Sequence, residues 1–138
     1  MTDASPLANV AVVLFEPQDH VNIAAAVRAM KNMGVHQLRL VRPVPYDPVR
    51  LEGIAHDTQD VIDAILTFDT LDEALAGCVR VAGFTARRRA AKREIIEPRT
   101  MAPEMLSWAR QGPVAMLFGR EDSGLPNDAL DRAHLVVT

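Results

Sequence analysis

The sequence predicts an α/β fold, a mostly parallel sheet flanked by helices, and two observations carry that expectation. Short runs rich in Val, Leu and Ile recur at 10–15, 38–41, 65–68, 79–84, 114–118 and 135–137, continuous rather than alternating. Such runs suit strands buried on both faces of a parallel sheet. Between them lie stretches with helical spacing or helix-boundary residues, and strand–helix alternation is the pattern of parallel strands joined by crossover helices. At 138 residues the chain can bury roughly two-thirds of the surface its unfolded form exposes. One domain over 1–138 is therefore expected.

After the first run, the clearest helix is 22–33, where Ile23, Val27, Met30 and Met33 recur at helical spacing and Gly34 stands as a C-terminal stop. A wheel at about 100° per residue puts Ile23, Ala26, Val27, Met30 and Met33 on one face and Ala24, Ala25, Arg28 and Ala29 on the other. Asn22 is read either as the cap of this helix or as a substrate contact. Arg28, ringed by alanines, is either an ordinary surface cation or a fork presented to phosphate or carboxylate where another surface approaches closely. Beyond the second run, Pro43, Pro45 and Pro48 mark a loop. Weaker helices are expected at 49–56, 70–76, 103–110 and 127–133.

Composition narrows the function. Hydrophobic residues at 49% and charged residues at 24% are ordinary for globular domains and argue against disorder. Aromatics at 4% argue against a stacking platform for single-stranded nucleic acid. The lone cysteine, Cys78, allows no internal disulfide and is read as a small buried hydrophobe at a helix end, in a reducing compartment. His20, His36, His56 and His134 show no metal-ligand spacing, so no metal is expected. Residues 1–6 lack a basic region leading into an apolar run, and no apolar stretch approaches the roughly twenty residues that span a bilayer. A cytoplasmic protein without membrane contact is expected.

The net charge of -3 is unevenly spread. Eight acids between 47 and 73 face only Arg50, whereas Arg80, Arg87, Arg88, Arg89, Lys92, Arg93 and Arg99 face only Glu94 and Glu97. The basic run is either a solvated helix face or a phosphate-tracking patch.

The stretch Leu117-Phe118-Gly119-Arg120-Glu121-Asp122-Ser123-Gly124-Leu125 follows an apolar run, placing it at the carboxyl end of a strand, where open α/β sheets bind ligands. It has neither a Gly-Lys-Ser/Thr ending nor G-x-G-x-x-G, and Glu121 with Asp122 would repel a pyrophosphate. An acidic, glycine-bounded turn fits a ligand that is cationic or rich in donors: an amino acid, an adenine edge or a sulfonium. A simple tight turn is the plainer reading.

Two stretches together resemble a known family. Residues 22–34, Asn-Ile-Ala-Ala-Ala-Val-Arg-Ala-Met-Lys-Asn-Met-Gly, resemble the first motif of the SpoU-type (TrmH-like) SPOUT methyltransferases, and 117–125 their second, Phe-Gly-x-Glu-x-x-Gly-Leu. Asp60-Val61-Ile62 and the segment 69–78 look like the TrmJ-like tRNA 2′-O-methyltransferases that act on nucleotide 32. The resemblance runs from about Val10 to the last residue. Gly83-Phe84-Thr85-Ala86-Arg87 stands where the family has Gly-Thr-Ser-Ala-Arg. The third motif is expected to begin just after Thr138, so the chain is expected to be truncated and its trefoil knot incomplete.

The resemblance implies S-adenosyl-L-methionine as cofactor, RNA (tRNA foremost) as substrate, and a homodimer with its active site at the subunit interface. By position it implies catalytic roles for Arg28 and Asn22, and cofactor contacts from Thr85, Ala86, Gly119, Arg120, Glu121 and Gly124. RNA contacts are implied for Arg87, Arg88, Arg89, Lys92 and Arg93. A guanidinium is effectively never deprotonated in a protein. Arg28 is thus expected to bind the phosphate beside the target ribose and stabilise a developing alkoxide, while Glu121 anchors its loop or pairs with Arg28. Rival readings are a non-catalytic RNA-binding or dimerisation fragment and an α/β protein that binds another nucleotide.

Overall fold

The computed structural model describes residues 5–85 and 95–138. Seven parallel strands form one sheet in the order β3-β2-β1-β6-β4-β7-β5. They are β1 (Val10–Phe15), β2 (Gln37–Val41), β3 (Leu66–Phe68), β4 (Arg80–Phe84), β5 (Ile95–Ile96), β6 (Val114–Phe118) and β7 (Leu135–Val137). The helices are α1 (His20–Met33), α2 (Pro48–Ile54), α3 (Gln59–Asp63), α4 (Leu71–Leu75), α5 (Pro98–Ala109) and α6 (Asn127–Leu130), with a 3-10 turn at Pro6–Asn9.

Continuous apolar runs work here because each strand serves two cores. Along β1, Val10 and Val12 join a cluster with Ile23, Val27 and Met30 of α1, Leu51 of α2, Val61 of α3 and Met101 and Met105 of α5. Val13 and Phe15, on the opposite face, join Leu71 and Ala74 of α4 and Ala129 and Leu130 of α6. The sheet is thus sandwiched between helices, as the sequence predicts.

Several local expectations are corrected. The cap of α1 is Asp19, whose Oδ1 accepts from the Val21 N–H at 2.8 Å; Asn22 lies inside the first turn and is exposed. Asp and Asn cap about equally well, and it is Asp19 that stands before the first helical residue. Ala24 is fully buried and Met33 is 71% exposed, the reverse of the wheel. Ala24 joins the cluster with Leu51 of α2 and Val61 of α3, while Met33 edges an apolar groove. The stop holds: Gly34 has φ 77, and Val35 N–H closes onto Met30 O at 2.9 Å.

Helix α5 begins at Pro98 rather than Pro103, with Pro103 inside it. Proline favours a first turn, and Pro98 takes that place. An interior proline costs about 3 kcal/mol or more, offset here by burial of Met101, Met105 and Ala109 on one helix face. Helix α3 and strand β5, too short to carry a period, escape the sequence reading. Cys78 is half-buried beside Arg39, its Sγ 3.6 Å from Nη1, and burial raises its thiol pKa. No helix among the described residues is long and apolar enough to cross a membrane.

Candidate functional site

The carboxyl ends of β4, β6 and β7 frame a cleft of about 730 Å³. Phe84, at the end of β4, stacks on Phe118, at the end of β6, with ring centroids 4.4 Å apart and planes 14° from parallel. Both rings line the cleft, together with Thr85, Pro98, the loop from Gly119 to Gly124, Val137 and Thr138. Phe84 follows from its register: it pairs with Phe118 across the β4–β6 ladder, and ring stacking is favoured at such a separation. Thr85 is buried, its N–H donating to Val137 O at 3.0 Å.

The loop folds back on itself. Arg120 N–H donates to Gly124 O at 3.2 Å, and Gly124 N–H to Arg120 O at 2.8 Å. A Cβ on Gly119 would lie 2.1 Å from the carbonyl carbon of Gly124, so only glycine admits this turn, and Gly124 needs φ 70 to complete it. The charges are pinned as well. Arg120 donates to Asp122 through Nε and Nη2, both at 2.9 Å, and Ser123 Oγ donates to the same carboxylate at 3.2 Å. The guanidinium holds the Asp122 carboxyl below the usual aspartate range. Glu121 Oε2 accepts from Gln18 N–H at 2.9 Å, anchoring the loop to the segment after β1.

The other sequence-predicted residues are distributed around this loop. Asn22 shares an apolar groove of about 380 Å³ with Glu121 and Gly119, floored by residues such as Val12, Leu14 and Phe118 and edged by Ala26, Ala29 and Met33. Arg28 does not reach the loop. It lines a separate polar pocket of about 370 Å³ with Lys31, Asn32, His56, Asp57 and Thr58, and among the described residues it has no hydrogen-bond or ion-pair partner. Of the two roles foreseen for Glu121, anchoring is the one seen within the chain. Ala86, Arg87, Arg88, Arg89, Lys92 and Arg93 lie outside the described residues.

Sequence reasoning missed Gln18, Glu16 and Arg42. Arg42 Nε lies 3.1 Å from Glu16 Oε2, and Arg120 Nη1 lies 4.0 Å from Glu16 Oε1. A lone Glu or Arg after an apolar run carries no motif, so nothing in the sequence singles them out.

The donor set suits a cofactor of the kind the resemblance implies. An aromatic floor, two glycines that bring backbone within reach, and the acidic edge at Glu121 and Asp122 fit an adenosine joined to a cationic amino-acid chain. Among the described residues no three His, Cys, Asp or Glu side chains gather as a metal site.

Comparison with known proteins agrees with this geometry. The chain is 40% identical over 131 residues to the tRNA (cytidine/uridine-2′-O-)-methyltransferase TrmJ of Sodalis glossinidius (strain morsitans), covering 95% of this chain and 51% of that protein. It is 41% identical over 128 residues to the protein of the same name from Cronobacter sakazakii (strain ATCC BAA-894), covering 93% and 52%. It thus spans about half the length of the curated relatives it matches. Among solved structures, TrmJ from Z. mobilis ZM4 superposes with a TM-score of 0.85 at 32% identity, over 95% of this chain and 58% of that one. A probable methylase family protein from Haemophilus influenzae Rd KW20 superposes with a TM-score of 0.88 at 35% identity, over 96% and 55%. With residues 9–138 matching its pattern, the chain belongs to the SpoU rRNA Methylase family.

Proposed function

We propose that this chain carries the cofactor site of an S-adenosyl-L-methionine-dependent RNA ribose 2′-O-methyltransferase, with tRNA as the substrate and the cytoplasm as its place of work. The observation that carries the reading is the self-bonded, glycine-bounded loop after β6, set over the Phe84–Phe118 stack at the carboxyl end of a parallel sheet. Tandem carboxylates on that loop disfavour a nucleotide bound through its phosphates, while the relatives' names point to ribose methylation of tRNA.

When bound, the cofactor supplies an electrophilic methyl group on a sulfonium. The chain's own residues do the rest. Gly119 and Gly124 let backbone approach the ligand, Phe84 and Phe118 give it an apolar floor, and Thr85 lines the same cleft, with Ala86 assigned a cofactor contact by the family resemblance alone. Glu121, held by the Gln18 amide, keeps the loop closed. Arg28 offers its guanidinium fork to the phosphate beside the target ribose and to the alkoxide that develops on O2′. The proton leaves to the substrate phosphate or water. Asn22 holds the ribose or Arg28, and the basic residues Arg87, Arg88, Arg89, Lys92 and Arg93 track the RNA backbone.

Arg28 occupies a different pocket from the loop, and this supports a homodimer in which the Arg28 of one subunit serves the cofactor cleft of the other. The apolar groove at Ala26, Ala29 and Met33 supplies a surface for that contact. Calorimetric titration with S-adenosylhomocysteine tests the proposal: saturable binding with one site per chain is expected. No binding would instead favour an RNA-binding or dimerisation module of the same fold.

A further inference from the structure

Just past β1 and β2 the backbone takes a course that side-chain-bearing residues rarely adopt. Glu16 has φ 52 and Arg42 φ 43, both left-handed. They follow the paired strand ends Phe15 and Val41, and each still extends the ladder: Glu16 N–H donates to Val41 O at 2.8 Å, and Arg42 N–H to Phe68 O at 3.0 Å. Glycine would hold this course with less strain, so the side chains are what glycine could not supply.

Those side chains form a charge chain across four neighbouring strands. Arg42 Nη1 donates to Asp69 O at 2.5 Å beyond β3, and its guanidinium lies 5.2 Å from the centroid of the Phe15 ring. Its Nε meets Glu16 Oε2 at 3.1 Å, and the other Glu16 oxygen lies 4.0 Å from Arg120 Nη1 on the loop after β6. The Glu16 side chain is the least exposed of the three, at 28% against 44% for Arg42 and 36% for Arg120. The turn acts through its backbone as well. Gln18 Nε2 donates to Glu16 O at 2.7 Å, and Gln18 N–H is the group that holds Glu121.

We infer that Glu16 is a positioning residue for the loop 119–124. Its carboxylate holds Arg120 from outside the loop, and the bend it opens presents the Gln18 amide to Glu121. The two attachments fix Arg120 and Glu121, the two residues that follow Gly119, so the cleft keeps its shape before any ligand arrives. This deepens the cofactor reading and rests on it for its functional meaning, though the coupling between Glu16 and the loop can be measured without ligand.

The test is amide hydrogen exchange, read by NMR on the full chain, combined with S-adenosylhomocysteine titration and thermal melting. In Glu16→Gln, exchange at Gln18, Arg120 and Gly124 should accelerate about two- to fivefold, as expected for loss of a partly exposed ion pair, while Val13 and Leu117 in the strands stay unchanged. Glu16→Gly relieves the left-handed strain, so its melting temperature should equal or exceed the parent's even as the same loop amides exchange faster. That opposition separates positioning from general stability. Affinity for S-adenosylhomocysteine should fall in both variants by a similar about two- to fivefold factor. Parent-like loop exchange in Glu16→Gln, or acceleration spread evenly over the sheet, would overturn the inference. A parent chain that binds no S-adenosylhomocysteine while Glu16→Gln still loosens the loop would refute the cofactor reading and support the coupling.

Discussion

The two motif-bearing regions are held in opposite ways. In the loop from Gly119 to Leu125, Arg120, Asp122, Ser123 and Glu121 all have partners within the chain, and the backbone closes on itself. On α1, Arg28 projects into an open polar pocket with no partner among the described residues. The loop is preorganised by one chain; Arg28 is displayed by a rigid helix for something outside it. If, as proposed, one site is made of both, it is complete only when two chains meet, and substitutions should separate the halves.

The largest effect should come from Gly119→Ala. The added methyl would run into the peptide joining Gly124 to Leu125, 2.1 to 2.4 Å from three of its atoms. Since backbone cannot swing aside as a side chain can, the turn must open and lose its paired Arg120–Gly124 bonds, worth about 1 kcal/mol each. Together with the misplaced loop, the expected loss of S-adenosylhomocysteine affinity is on the order of a hundredfold, or about 2.7 kcal/mol, measured by calorimetry.

Next in size is Arg28→Ala, which should lower methyl transfer to tRNA on the order of a hundredfold, as removal of one charge-stabilising donor does, while cofactor affinity stays unchanged. Arg28→Lys keeps charge without the fork and should fall between; full turnover at unchanged substrate affinity would show that the fork is not needed. Mixing Arg28→Ala with Gly119→Ala chains sharpens the comparison. If sites are shared across the dimer, random exchange of subunits leaves about a quarter of sites intact. Activity should return from two dead proteins, and a mixture that stays dead would place both halves in one chain.

A smaller effect is expected at the groove. Met33→Glu puts a charge on a side chain that is 71% exposed and edges the apolar surface with Ala26 and Ala29. Fold stability should change by no more than about 0.5 kcal/mol, as for ordinary surface positions, while light scattering should show the proposed dimer shifted toward monomer. A dimer unmoved by Met33→Glu would put the contact elsewhere on α1.

The fold was legible because its rule is local. An apolar run such as 114–118, buried on both faces, announces a strand whatever surrounds it, and the bounds of β1, β6 and β7 coincide with the runs read from sequence. What escaped depends on neighbours. Ala24 is buried in the cluster that holds Leu51 of α2 and Val61 of α3, and Met33 is exposed at the edge of a groove; a wheel sees hydrophobicity but not where the next element lies. The loop of the candidate site was legible through its two glycines and acids. Its supports were not: Glu16, Gln18 and Arg42 become visible only once the order β3-β2-β1-β6 brings their strand ends together. Arg28 stands out in the sequence through its alanine surroundings, but its separation from the loop needed coordinates.

The smallest effect should come from Asp122, although it makes the loop's most regular ion pair. Its side chain is 60% exposed, and exposed pairs contribute little. Arg120 keeps a second carboxylate in Glu16 when Asp122 is removed, and the Arg120–Gly124 backbone bonds do not involve the Asp122 side chain. Asp122→Asn should therefore change S-adenosylhomocysteine affinity less than about twofold at neutral pH. Acid should reproduce it. Hydrogen bonding from Arg120 lowers the Asp122 pKa, so the pair's contribution is fully present above the ordinary aspartate value near about 4. It is lost as pH falls through the lowered folded value, where NMR should show the carboxyl titrating late and Arg120 loosening with it. A loss in Asp122→Asn as large as that in Gly119→Ala would invert the comparison, making charge rather than backbone the element that shapes the loop.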